Sequence, residues 1–129
     1  LIRRAQEEGI KIEVVPGVTA LIAALTASGL PSHSFIFEGF LPVKSGARRK
    51  KLEGFKAEER TVIFYESPHR VLKTLKDIAE VLDNPTMVCA RELTKKFEEI
   101  RKGPAEEMLA HFTRHTPKGE FVLLISFNN

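Results

Sequence analysis

The chain has 129 residues, 43% of them apolar, which is enough for one domain with a real core and argues against disorder. Its 20 basic and 17 acidic residues leave a formal charge of +3, which permits a polyanionic partner without demanding one. A single cysteine excludes an intrachain disulfide and fits a reducing, cytoplasmic setting, and no apolar run approaches the length of a membrane span.

Leu1–Glu8 reads as the tail of an amphipathic helix stopped by Gly9. With no initiator Met before it, the expectation is a piece of a longer polypeptide, residues 1–16 closing an N-terminal domain or connecting to it and 17–129 forming the domain proper. Ile10–Val15 reads as a strand ended by Pro16-Gly17. Val18–Ser28 is the most apolar helix, with Val18, Leu21, Ile22 and Leu25 at helical spacing and Gly29 and Pro31 behind it. A strand follows at Phe35–Glu38, then a loop, a helix from Ala47 to Ala57 and a strand at Thr61–Tyr65. Pro68 sits where a helix begins, and the helix His69–Leu82 carries Val71, Leu72, Leu75, Ile78, Ala79 and Leu82 on one face before Asn84-Pro85 breaks it. Strand Thr86–Ala90 holds Cys89, expected as a small core residue. A short strand at Phe97–Lys102, a helix from Ala105 to His115, the turn Thr116–Gly119 and a central apolar strand Glu120–Phe127 complete the chain. Strands and helices alternate, so the class is α/β: one domain, with a mixed sheet of about five strands flanked by helices.

Three strands run straight into loops dense in Gly, Pro and charge: Gly39–Gly46, Glu66–Arg70 and Arg91–Lys95. Ligands collect at the carboxyl edge of open α/β sheets, so the three strand ends suggest one binding rim. In the first loop and the helix after it, Lys44, Arg48, Arg49, Lys50 and Lys51 form a basic run near a helix N-terminus. Cations are disfavoured there by roughly 0.3–1 kcal/mol each, so phosphate contact competes with a plain solvated charge run. In the second loop, Ser67 is placed to N-cap a helix with Arg70 in its first turn, making an anion site or merely a cap with Arg70 paired to Glu66. In the third, Arg91, Glu92, Thr94 and Lys95 either line a cleft or pair locally. Pro16-Gly17-Val18-Thr19 is a tight turn into a helix, with or without a ligand. His111 and His115 lack the Glu of a zinc-protease helix, and no Walker loop, GxGxxG or GxSxG stretch occurs, so no metal site and no nucleophile is expected.

VVPGVTALIAALTASGLP, FIFEGFLPVKSGARRKKLE, VIFYESPHRVLKTLKDIAEV, CARELTKKFEEIRKG and KGEFVLLI occur in that order. Together they resemble the C-terminal half of the tetrapyrrole (corrin/porphyrin) methylase family, the class III S-adenosylmethionine-dependent methyltransferases. The set EGFLP, ESPHR and ARELTK is similar to the branch that modifies ribosomal RNA. The resemblance covers essentially the whole chain. It implies a two-domain α/β enzyme, usually a homodimer, with S-adenosylmethionine between the halves and no metal. It also implies methyl transfer to the ribose 2′-hydroxyl of a cytidine in 16S rRNA of the small ribosomal subunit. The glycine-rich loop and SGDP-like stretch of the family's N-terminal domain are absent from these residues.

Carried across by motif, Pro16, Gly17, Thr19, Phe40, Leu41, Ala90, Arg91, Glu120 and Phe121 are the implied cofactor contacts. Lys44, Arg48, Arg49, Lys50, Ser67, Arg70 and Lys95 are the implied RNA contacts. Glu66, His69 and Glu92 are candidates for a base acting on the hydroxyl. A small-tetrapyrrole methylase and a non-catalytic RNA-binding or dimerisation module are the alternatives.

Overall fold

Strand β5 (Phe121–Ile125) is buried at every position, because it lies at the middle of a five-stranded sheet covered on both faces. The computed structural model describes residues 1–127. In chain order its elements are α1 (Ile2–Glu7), α2 (Ala20–Ser28), β1 (Phe35–Phe40), α3 (Ser45–Glu53), β2 (Thr61–Glu66), α4 (Val71–Val81), β3 (Thr86–Arg91), β4 (Glu99–Pro104), α5 (Ala105–Arg114) and β5. The strands stand in the order β1-β2-β5-β3-β4. β1 and β2 are parallel, whereas β5 is antiparallel to both β2 and β3, and β4 is antiparallel to β3. β1, β2 and β3 therefore point the same way, and their carboxyl ends share one edge with the start of β5.

The period-two alternation of side chains sorts the core into two layers. Val62, Phe64, Met87, Cys89, Phe121, Leu123 and Ile125 face α3, α4 and α5, meeting Leu52, Val71, Leu75, Ile78, Met108 and Phe112. Ile63, Val88, Ala90, Val122 and Leu124 face α2, meeting Ala24, Leu25 and Leu30. Each of these fully buried large side chains contributes about 1.5–3 kcal/mol. Cys89 is buried in the first layer, and burial pushes its thiol well above the usual range, consistent with a core residue. Gly29, in the left-handed region at φ 65°, ends α2 as the sequence suggests. Among the described residues, no helix is long and apolar enough to cross a membrane.

Four expectations are corrected. Ile10–Val15 is not a strand: residues 10–19 form no ladder and are almost all exposed, because no neighbouring strand offers them hydrogen-bond partners. Val14, Val15 and Val18 stand in solvent, and α2 starts only at Ala20. Helix α3 starts and ends earlier than expected, running from Ser45 to Glu53 rather than from Ala47 to Ala57. Ser67 does not cap α4 with its hydroxyl. Arg70 holds the N-cap position, and the carbonyl of Ser67 accepts the amides of Arg70 and Val71 in the preceding turn.

The basic run of α3 is folded inward. Arg48 is only 3% exposed; its Nε donates to Asp77 of α4 at 2.7 Å, and one terminal nitrogen donates to the Val43 carbonyl at 2.9 Å. Arg49 bonds Asp77 at 3.0 Å and Glu80 at 2.6 Å, and Lys51 pairs with Glu38 at 2.8 Å. What reads in sequence as a solvated patch is thus largely a clamp that fastens the β1–α3 loop to α4. Removing one partner of a buried ion pair leaves an uncompensated charge, so Asp77→Ala is expected to destabilise the domain by about 3 kcal/mol or more. Urea unfolding followed by circular dichroism checks this; a shift under about 1 kcal/mol contradicts the clamp.

Candidate functional site

The common strand edge is shaped by a bulge. The pairing of β1 with β2 slips between Phe37 and Gly39, and Gly39 takes φ 66°. Phe37 lies opposite Ile63, and Phe40, three residues on, lies opposite Tyr65, so both rings fall on the α2 face. An unbroken strand would have sent Phe40 to the other side. Phe37 and Phe40 both meet Tyr65 edge-on, at 4.9 Å and 6.0 Å between ring centres. The Tyr65 hydroxyl accepts the Leu21 amide at 3.2 Å and ties the beginning of α2 to the end of β2. The resulting cleft of about 380 Å³ is lined by Ala20, Phe40, Tyr65, Ser67, Glu120 and Val122, with Glu66, Pro68 and Phe121 at its base and sides.

Below this cleft Glu66 is saturated. One carboxylate oxygen accepts the Ser67 amide at 2.7 Å and Arg70 Nε at 2.9 Å; the other accepts the Thr74 hydroxyl at 2.7 Å. Its side chain is 1% exposed. Arg70, so held, reaches the Leu41 carbonyl at 3.4 Å and stands 5.8 Å from the centre of the Phe40 ring. The ends of β1 and β2 are thereby locked to each other through Arg70, the local pairing that the spacing of Glu66 and Arg70 allowed.

A second carboxylate clasps the far side of the edge. Glu92 and Thr94 both have positive φ, at 51° and 65°, conformations that cost of order 1 kcal/mol or more in a non-glycine residue. The Glu92 carboxylate accepts the Glu120 amide at 3.0 Å and Lys95 Nζ at 3.1 Å. It lies directly over Gly119, where a Cβ would collide with it. The Glu120 amide, followed by Lys95, holds the Glu92 carboxyl below the ordinary range.

The sequence-derived residues separate accordingly. Phe40, Glu66, Ser67, Glu120 and Phe121 line the cleft. Leu41 and Ala90 are core residues beside it, on opposite faces of the sheet. Pro16, Gly17 and Thr19 are exposed and lie outside the cleft lining, although the chain enters the cleft immediately after them at Ala20. Arg91 points to the α5 face, where it meets Glu99 at 3.4 Å and the Lys118 carbonyl at 3.2 Å. His69 is exposed in the turn after β2, with no bonding partner among the described residues. Arg48 is buried and is no surface cation, while Lys44 and Lys50 remain exposed. Sequence reasoning missed Tyr65 and Val122 as cleft residues; the available signal was a lone tyrosine at a strand end. Among the described residues, no group of His, Cys, Asp and Glu could hold a metal.

An α/β domain with a mixed sheet and a cleft at the carboxyl edge of its parallel strands has its cleft where ligands collect in open α/β folds. Residues 1–109 match the family model for tetrapyrrole (corrin/porphyrin) methylases, and the chain belongs to that family. It is 48% identical over 129 residues to ribosomal RNA small subunit methyltransferase I of Pseudomonas aeruginosa, covering 98% of this chain and 46% of that protein. It is 41% identical over 126 residues to the protein of that name from Thermotoga maritima, covering 98% of this chain and 56% of that protein. The chain thus spans about half the length of these curated relatives. Its fold resembles the methyltransferase CobJ, with a TM-score of 0.65 at 21% identity over 97% of this chain and 54% of that one. It also resembles uroporphyrin-III C-methyl transferase from Thermus thermophilus complexed with S-adenyl homocysteine, with a TM-score of 0.59 at 22% identity over 95% of this chain and 56% of that one.

Gly119→Ala is expected to cost about 1–3 kcal/mol in urea unfolding, because it strains φ 80° and displaces Glu92 from the Glu120 amide. A variant as stable as the parent contradicts the clasp. A carboxyl held below its ordinary value of 4.5 stabilises the fold above that pH, and the contribution is lost as pH falls through the lower folded value. Glu92→Gln is therefore expected to be less stable than the parent at neutral pH, with the gap closing in acid. A gap independent of pH contradicts this.

Proposed function

We propose that this chain is the C-terminal half of an S-adenosylmethionine-dependent methyltransferase that modifies the ribose 2′-hydroxyl of a cytidine in 16S rRNA. The observation that carries the reading is the cleft between Phe40, Tyr65 and Glu120, formed at the carboxyl edge of a tetrapyrrole-methylase domain. The names of relatives 41–48% identical over nearly the whole chain support an rRNA substrate. The names of the structural neighbours favour a tetrapyrrole substrate, but at 21–22% identity that likeness carries only the fold.

The cleft residues fit the cofactor. The Phe40 and Tyr65 rings and Val122 supply flat apolar surface for an adenosine, and the cleft is within the size range of small-molecule sites. Glu120 and Ser67 supply polar groups at its margin. When bound, S-adenosylmethionine would supply a sulfonium methyl for transfer to the hydroxyl, whose proton a residue of the protein would have to accept. Of the three candidate bases, Glu66 is spent on Ser67, Arg70 and Thr74, and Glu92 on Glu120 and Lys95. His69, in the turn that follows the cleft residues Ser67 and Pro68, has no bonding partner among the described residues and is the remaining candidate to take the proton. Arg70 positions the Phe40–Leu41 corner of the cleft, and Lys44 of the first loop and Lys50 of α3 remain as RNA-facing cations. Residues 1–16 join this half to an N-terminal domain that forms the opposite wall. The joined protein acts on the small ribosomal subunit in the cytoplasm as a homodimer.

With one wall only, the 129-residue chain is expected to fold yet bind S-adenosylmethionine more weakly than micromolar in calorimetric titration; micromolar affinity contradicts the shared cleft. After an N-terminal half from a relative is joined, His69→Ala is expected to lower kcat for small-subunit methylation about 100-fold, with cofactor KM unchanged. Arg70→Ala instead raises cofactor KM. Methylation at the parent rate in both variants removes this turn from the site.

A further inference from the structure

A second cavity, of about 430 Å³, opens on the other face of the same sheet edge, under α5. Arg91, Phe97, Glu99, Phe112, His115 and Lys118 line it. Phe97 is 67% exposed, an unusual position for a bare aromatic ring, and Lys96 Nζ stands 5.6 Å from its centre. Across the cavity the His115 ring stacks on His111 at 4.6 Å. Lys96, Arg114 and Lys118 are exposed and form no ion pair among the described residues, in contrast to Arg48, Arg49 and Lys51 of α3. Inside, Glu99 is fixed by Arg101 at 2.6 Å and His111 at 2.8 Å. Burial opposes its charge, but Arg101, His111 and Arg91 outweigh it and keep the carboxyl below the usual range.

These groups divide a ligand into parts. The Glu92 and Glu99 carboxylates repel a phosphate from the interior, whereas Lys118 in the lining and Lys96 beside the Phe97 ring attract one at the rim. Exposed aromatic rings at the mouth offer stacking surface, which any unpaired base accepts and a solvated duplex does not. We propose that this cavity holds one unstacked nucleotide of a single-stranded RNA, its base against Phe97 and His115 and its backbone on Lys96 and Lys118. The site deepens the rRNA reading given above and rests on it. It places a base-stacking RNA contact on the β3–β4 loop and the end of α5, separate from the cations Lys44 and Lys50.

The test is an NMR titration of the ¹⁵N-labelled 129-residue chain with a short single-stranded oligoribonucleotide. Amide shifts are expected at Lys96–Phe97 and His115–Lys118. Phe97→Ala, which removes an exposed ring and leaves the core intact, is expected to weaken binding about tenfold. Lys118→Glu should weaken it and flatten its salt dependence, and Lys73→Glu, on the exposed side of α4, should leave it nearly unchanged. Unaltered affinity in Phe97→Ala, shifts confined to Lys44 and Lys50, or equal competition by inorganic polyphosphate in parent and variant each overturns the site. So does burial of Phe97 against the N-terminal half in the joined protein, read as amide protection at Lys96 and Phe97. These leave the methyltransferase reading standing. Conversely, Phe97-dependent RNA binding by a joined protein that methylates no small-subunit RNA retains the site and removes that reading.

Discussion

The pairing of β5 with β2 on one side and β3 on the other is the constraint from which the functional edge follows. Its register sets Phe121 opposite Glu66 and opposite Arg91. Two loops that lie 25 residues apart in the chain are thereby drawn onto one residue, and the β1 end joins them through its parallel pairing with β2. Because β5 is buried on both faces, a slip of one residue would exchange the two core layers, so the register is held by much of the hydrophobic core.

On that edge the two faces of the sheet offer different chemistry. The α2 face is apolar and thinly covered, and the bulge at Gly39 adds Phe40 to Tyr65 there. The α5 face carries the odd-numbered ends of β3 and β5, so Arg91 and Phe121 turn toward Glu99 and Phe112. Alternate side chains of one strand end thus turn to the two opposite faces of the sheet. The pleat, more than any motif, assigns each residue to one of them.

Charge is used in the same divided way. Arg48, Arg49 and Lys51 hold loops to helices, and Glu66 and Glu92 hold turns to strand ends. Groups committed to such bonds are poor candidates for proton transfer or phosphate contact, since either would break a satisfied network. Side chains with no hydrogen bond or ion pair among the described residues, His69, Lys44, Lys50, Lys96, Arg114 and Lys118 among them, mark where a ligand can be met without that cost.

The alternation of apolar strands with amphipathic helices was legible in the residues, as was the αL glycine behind α2, because both are local properties. The three charged strand ends were legible for the same reason. Ile10–Val15 has a strand's composition but finds no partner strand, and only the tertiary structure could reveal that. Nor could spacing reveal that Arg48 turns inward to Asp77, that Gly39 forms a bulge, or that Arg91 lines a cavity on one face of the sheet while Ala90 joins the core on the other. The sequence by itself determined which elements form and which of their ends are polar, since propensity and period act over a few residues. Strand order, register and the pairing of distant charges were decided by the packed sheet, because those energies exist only once residues far apart in the chain are brought together.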